Sequence, residues 1–270
     1  MVNDNMLAIS LLVVAQALAT AAQPRQTIST VSVGSSLPVE HVADHCPEFR
    51  VRDHRVDDIA RCRVLQSGTF ARLGNDVYYY AFYCMEERSA PELGSCDDSN
   101  SINGKYPRQN IAVFVRSNRA RNVRLVTFEF APTADFKKPD GPHYVTKPSI
   151  VATPYGRIME LPLIAAATCD CNASIYYLWE PKQRRWRILD FSAWQGQLGR
   201  HLPDGLTAQN APWPDLHTMR VNGSLWRNED AHCCPGGGSY AALLAVSNAK
   251  FVLKSVRVWP SDKPKANPQP

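Results

Sequence analysis

Catalytic signatures are missing from this chain. It has no G-x-S-x-G elbow, no P-loop, no G-x-G-x-x-G turn and no H-E-x-x-H helix. Each of these motifs fixes a nucleophile, a phosphate, a dinucleotide or a zinc ion by its spacing, so the enzyme classes built on them have no support here. The C-x-x-C pair that marks a zinc site most strongly is absent too. No cofactor is implied by any motif. Excess charge of one sign is also lacking. The chain carries +5 in total, and +6 once Asp4 leaves with a leader peptide. That mild basicity permits contact with anionic envelope polymers and does not argue for nucleic acid. Long apolar runs are limited to one near the start, so no transmembrane span is expected in the mature chain.

That run is Met6 to Ala15 (MLAISLLVVA), followed by the small residues Ala17, Ala19, Ala21 and Ala22. Ala19-Thr20-Ala21 fits a small-x-small cleavage site, which predicts a signal peptide over 1–22. The segment before the run, MVNDN, has no Lys or Arg. An uncleaved anchor is the alternative, because Met6 to Ala22 approaches the ~20 residues of a span. Gln16 and the small-residue end favour cleavage. No Cys follows the run to take a lipid. The expected location is the periplasm or the medium.

An exported chain meets an oxidising compartment, where disulfides persist. Eight cysteines are disulfide candidates: Cys46, Cys62, Cys84, Cys96, Cys169, Cys171, Cys233 and Cys234. The number is even, and the sequence leaves the pairing open. About 248 of the 270 residues follow the leader, enough for one large domain or two small ones.

The rest reads as hairpins. A polar stretch, 23–45, is expected as a loose leader. A β-rich region over 46–131 contains Val77 to Cys84 (VYYYAFYC), Ile111 to Val115 and Val123 to Phe130, with RSNRARN as a charged turn between the last two. Four prolines between Pro132 and Pro148 mark a linker over 132–148. A second β-rich region spans 149–260, and 261–270 is a polar tail. In the second region Ile175 to Trp179 and Trp186 to Asp190 flank EPKQRR, and Tyr240 to Val246 and Phe251 to Trp259 flank SNAK. Cysteine and small polar residues precede both hairpins, which suggests two related units with Cys171 and Cys234 at equivalent strand entrances. Ser192 to Leu202 predicts a helix: Trp194, Leu198 and Leu202 fall at four-residue spacing, Ser192 suits an N-cap, and Pro203 ends it. The expected class is mainly β, or α+β, with antiparallel hairpins, one or two short helices and disulfide staples.

Several stretches of the second half form a set: TPYGRIMELPL (153–163), CNASIYYLWEP (171–181), RWRILD (185–190), HLPDGL (201–206), WPDLHTM (213–219) and CCPGGGSYAALLAV (233–246). Through them the chain resembles a family of uncharacterised exported proteins of Gram-negative, mainly alphaproteobacterial, bacteria with a C-terminal CCP-x-G-G motif. The resemblance covers about 110 residues well and implies export, with no activity attached to particular residues. The family pattern has Ser or Thr after CCP, where this chain has Gly236.

Four groups are candidate sites. The run DAHCCPGGGSY reads first as a stapled turn, with bonds from Cys169/Cys171 to Cys233/Cys234 or a strained vicinal Cys233–Cys234 pair. Free thiols are the rival, and Asp170 would disfavour thiolate at its neighbours. His232, Cys233, Cys234, Cys169 and Cys171 are the alternative as soft metal ligands or a thiol-redox centre, with His41 and His45 beside Cys46 as a looser cluster. Asp215 with His217, and Asp230 with His232, offer acid and base groups two residues apart, the basis of a hydrolase alternative. Arg184, Arg185, Trp186 and Arg187, with Lys182, form a basic aromatic turn, and Arg116, Arg119, Arg121 and Arg124 lie across the other hairpin. Together with Trp213, Asp215 and His217, the first of these turns is the candidate grip on an anionic envelope polymer or glycan. The competing view puts Trp179, Trp186 and Trp194 in the core. The sequence-level conclusion is a non-enzymatic exported protein with a binding or structural role; it sets no oligomeric state.

Overall fold

The structure, a computed structural model, describes residues 29–30, 36–42, 47–48, 59–88, 96, 108–117, 120–131, 147–162, 164–165, 171–209, 212–231 and 233–261. The expected signal peptide, the polar tail beyond Ser261 and most of the proline-rich linker lie outside these residues, as do Cys46, Cys169 and His232.

Antiparallel pairing dominates, as the alternating apolar runs require. The first sheet contains β2 (Ser36–Pro38), β4 (Ile59–Leu73), β5 (Asp76–Glu87), β6 (Arg108–Ser117) and β7 (Asn122–Ala131) in the order β2-β7-β6-β5-β4. β2 falls within the stretch expected as a loose leader; its Pro38, which cannot donate to a ladder, is tolerated at the sheet edge. β1 (Ser29–Thr30) and β3 (Pro47–Glu48) pair in parallel beside this region's sequence. The second sheet runs β13 (Arg185–Leu189), β12 (Ile175–Glu180), β9 (Gly156–Leu161), β8 (Ser149–Thr153). Between β9 and β12, β10 (Ile164–Ala165) pairs with β11 (Cys171–Asn172). The third sheet runs β14 (Leu206–Thr207), β15 (Arg220–Arg227), β16 (Gly238–Ser247), β17 (Lys250–Pro260).

The second sheet is the middle layer of three. Successive strand residues point to opposite faces. In β9 and β12, Met159, Leu161 and Tyr177 join Tyr78, Tyr80, Phe82, Ile111 and Val113 of the first sheet. Their neighbours Ile158 and Tyr176 face the other way, into a core with Val221, Leu225, Tyr240, Leu244 and Phe251 of the third sheet. A further core on the far face of the first sheet holds Ala81, Tyr83, Phe114, Val123 and Leu125 under Val42 of a short 3-10 turn, Val39–Val42. The sheets therefore divide at the linker in sequence, yet one apolar core spans it.

The helix is shorter than the spacing predicts. α1 covers Ala193–Leu198 and continues as a 3-10 turn, Gly199–His201. Ser192 does not cap it with its side chain; instead its Oγ and N–H both donate to Asp190 Oδ1, at 2.7 and 3.1 Å. Trp194 and Leu198 are buried against β17 as their spacing implies. Among the described residues, no helix is long and apolar enough to cross a membrane.

Cys84 at the end of β5 is bonded to Cys96, and Cys62 is also disulfide-bonded. The hairpins entered from Cys171 and Cys234 are the last of their sheets, but their entrances differ. Cys171 lies in β11, whereas Cys234 lies in a loop before β16.

Candidate functional site

Cross-strand register gathers arginines at one end of the first sheet. Arg72 of β4 pairs with Val77 of β5, and Val77 pairs with Arg116 of β6. Residues directly opposite each other share a face, so the two guanidinium stems rise on the same side, two strand spacings or roughly 9–10 Å apart. The turn between β6 and β7 brings Arg121 to the same end. Val39, Glu40, Gly74 and Asn75 complete a cleft of about 620 Å³. Gly74 adopts φ 61°, a left-handed turn conformation that suits glycine, and folds the β4–β5 hairpin back at the rim. Arg116 lies over the Tyr79 ring, 5.6 Å from its centroid, a cation–π contact that orients the guanidinium. Among the described residues, no carboxylate pairs with Arg72, Arg116 or Arg121, and Glu40 is the one acidic side chain lining the cleft.

The other basic turn is built differently. Arg185 and Arg187 both donate to Glu180 across the β12–β13 hairpin, at 2.9 and 3.2 Å. That pairing holds the Glu180 carboxyl below the usual carboxylate range. Trp186 belongs to the core between the first two sheets. Its ring meets Tyr78 and Trp179 edge-on and tilted, and its Nε1–H donates to Tyr78 Oη at 3.4 Å. Arg184 and Lys182 are exposed in the turn, Arg184 with φ 50°. The expected aromatic grip at 184–187 is thus divided: Arg185 and Arg187 share the single carboxylate of Glu180, while the Trp186 ring packs into the core. Trp213 is 39% exposed and donates to Ser174 Oγ at 3.1 Å.

The cysteine loop is closed without sulfur. Cys233 and Cys234 are free and exposed, in place of the expected staple. Asp230 Oδ2 accepts the N–H groups of Arg227 and Gly236, each at 2.7 Å, and so joins the loop's entrance to its exit. Gly237 N–H donates to Leu225 O and Ser261 N–H to Gly237 O. With the backbone already held, the turn needs no covalent bond. The Cys234 thiol is pushed up by its hydrogen bond with Cys233, by charge on that neighbour and by the Asp230 carboxylate. A raised thiol is a weaker nucleophile and metal ligand at neutral pH. Among the described residues, no three His, Cys, Asp or Glu are grouped to hold a metal ion; His232 and Cys169 are not among them.

Asp215 and Asp230 do not converge. Asp215 pairs with Arg220 before β15, and Asp230 follows Arg227 after it. Seven residue steps of ~3.3 Å place them roughly 23 Å apart along the strand. Asp215 accepts from Thr218 Oγ1 at 2.7 Å and from the N–H groups of His217 and Thr218, which lower its pKa. Each carboxylate closes a turn, the ordinary use of aspartate in that position.

A buried polar chain escaped the sequence reading. Glu160 of β9 stands opposite Tyr176 of β12 and accepts from its hydroxyl at 3.2 Å. Asn172 Nδ2 donates to the same Tyr176 oxygen at 3.0 Å, and Asn172 Oδ1 accepts the Ser174 N–H at 2.8 Å. Burial raises the Glu160 pKa, and the hydrogen bonds from Tyr176 and Ser174 offset only part of that. The signal was a single acid inside the apolar run RIMELPL. On the opposite face Tyr177 donates to Glu129 of the first sheet, and Thr127 Oγ1 lies 2.8 Å from the Tyr177 hydroxyl. The Tyr177 links pin the first and second sheets to each other, polar group to polar group. No protein-family model, curated protein or solved structure matches the chain.

Proposed function

We propose that this chain is an exported, disulfide-stabilised, non-enzymatic binding protein of the cell envelope, and that its ligand is an acidic glycan held in the cleft of Arg72, Arg116 and Arg121. One observation carries the reading: three guanidinium groups with no carboxylate partner among the described residues line a single open cleft. Guanidinium binds carboxylate and phosphate through paired N–H donors, and several such contacts along one polymer add up. Tyr79 restricts Arg116, which lowers the entropy lost on binding. The cleft volume lies within the roughly 300–1,000 Å³ typical of ligand sites. The apolar leader and the resemblance to exported proteins of Gram-negative bacteria support the location.

The test is retention on immobilised alginate, a carboxylated polysaccharide. The native protein is expected to bind with an affinity that falls as salt rises. Arg116→Glu with Arg121→Glu is expected to weaken binding at least tenfold, on the scale of losing charge-assisted hydrogen bonds. Lys182→Glu with Arg184→Glu, in the other turn, should leave it within twofold. Equal loss from both pairs would show general charge attraction and defeat the reading.

A thiol-redox role is the second reading, favoured by the free, adjacent and exposed Cys233 and Cys234. Alkylation of native protein from its own compartment tests it: two reactive thiols in most molecules support the reading, and blocked thiols sink it.

A further inference from the structure

The third sheet and α1 leave space between them. A cavity of about 240 Å³ is lined by Trp194, Leu198, Leu202, Leu206, Ala208 and Tyr240 among others, with no charged side chain in its wall. Two of these residues carry polar atoms with no hydrogen-bond partner among the described residues: the Trp194 Nε1–H and the Tyr240 hydroxyl. Trp194 is wholly buried and Tyr240 is 2% exposed. Buried donors in native proteins are almost always satisfied, so two orphans carried by residues of one cavity wall call for a partner. The sequence also makes room for one of them. Gly223 pairs with Tyr240 across β15 and β16, and a Cβ at Gly223 would come within 2.5 Å of the Tyr240 ring and hydroxyl. Glycine there lets the tyrosine lie across the strand. Burial pushes the Tyr240 hydroxyl up to about 12, so it remains a protonated donor at any physiological pH.

We propose that this cavity binds a small, neutral, mainly apolar molecule whose carbonyl or ester oxygen takes the hydrogen bonds that Trp194 and Tyr240 leave unmade. Neutrality follows from the uncharged wall, since a bare charge there would lose its hydration without compensation. An acceptor oxygen follows from the donors, because the indole N–H can only donate. Small size follows from a volume below the roughly 300 Å³ at which drug-sized sites begin. The site is separate from the arginine cleft, which lies on the first sheet and takes the opposite chemistry. Ordered water would satisfy the same two groups, so the experiment must separate water from ligand.

The probe is 2-heptanone, titrated into ¹⁵N-labelled full-length protein while the Trp194 indole N–H resonance is followed. That resonance is assigned by its loss in Trp194→Phe. A saturable shift is expected with 2-heptanone, and none with heptane. Ala208→Leu should abolish the shift by filling the cavity. Tyr240→Phe, which removes only a hydroxyl, should weaken binding about tenfold and serves as the test if the other variants fail to fold. No saturable shift, an unchanged shift in Ala208→Leu, or native affinity in Tyr240→Phe would overturn the proposal. So would a long-lived water contact at the Trp194 N–H that persists at saturating 2-heptanone.

Discussion

Glu160 shows how one residue reports its surroundings. Its carboxyl is raised from 4.5, first because burial penalises the charged form. A carboxyl raised by folding binds its proton more tightly in the native state than in the unfolded chain. Its contribution to stability is therefore greatest below about 4.5 and declines as pH rises through the native value. Glu160→Gln keeps the shape and removes the charge. It is expected to raise the melting temperature at pH 7–8 and to leave it nearly unchanged at pH 4, as read by thermal denaturation across pH. A lower melting temperature at pH 8 would contradict this. Asp215 has the opposite sign: its lowered pKa gives stability above the ordinary carboxylate range that is lost as pH falls through the native value. Residue types were visible in the sequence, but partners were not. Trp186 sits among arginines in the chain, and only the pairing of β12 with β13 shows that Glu180 takes Arg185 and Arg187 while the indole turns inward.

At the scale of elements, the hairpins were legible and the loops were not. Alternating apolar residues flanking short polar turns fix strands locally, and β6–β7, β12–β13 and β16–β17 pair as those patterns imply. The predicted helix ran four residues too far, because Gly199 and the residues after it tighten into a 3-10 turn. The cysteine loop misled for a physical reason. Two adjacent cysteines suggest covalent closure, whereas a single carboxylate, Asp230, reaches both ends of the turn. Gly238 then carries the chain into β16 with φ 112°, where a Cβ would fall 2.1 Å from Trp259 O. Gly238→Ala therefore meets both backbone strain and a backbone clash. It is expected to cost about 2–4 kcal/mol in urea denaturation, and a cost below about 0.5 kcal/mol would refute the close approach.

For the whole molecule, stacking of three sheets is the feature that no local pattern announces. Ile158 and Met159 are neighbours in β9, both are fully buried, and they enter different cores. Each truncation to alanine is expected to cost about 2–5 kcal/mol. Both should lower one common unfolding transition followed by tryptophan fluorescence and circular dichroism, despite the proline-rich linker. Two separated transitions would mean that the halves fold independently. Loss of the Cys84–Cys96 bond, which closes a loop of sequence separation 12, should cost about 3 kcal/mol on loop entropy.

The most direct test of the binding role is to locate the bound ligand on the protein. Arginine Nε–H resonances would be followed in ¹⁵N-labelled protein during titration with an alginate hexasaccharide, with assignments from single Arg→Lys variants. The arginine cleft predicts saturable shifts at Arg72, Arg116 and Arg121, and little change at Arg184, Arg185 and Arg187. Shifts confined to the 184–187 turn, or no saturable shift at any arginine, would contradict it.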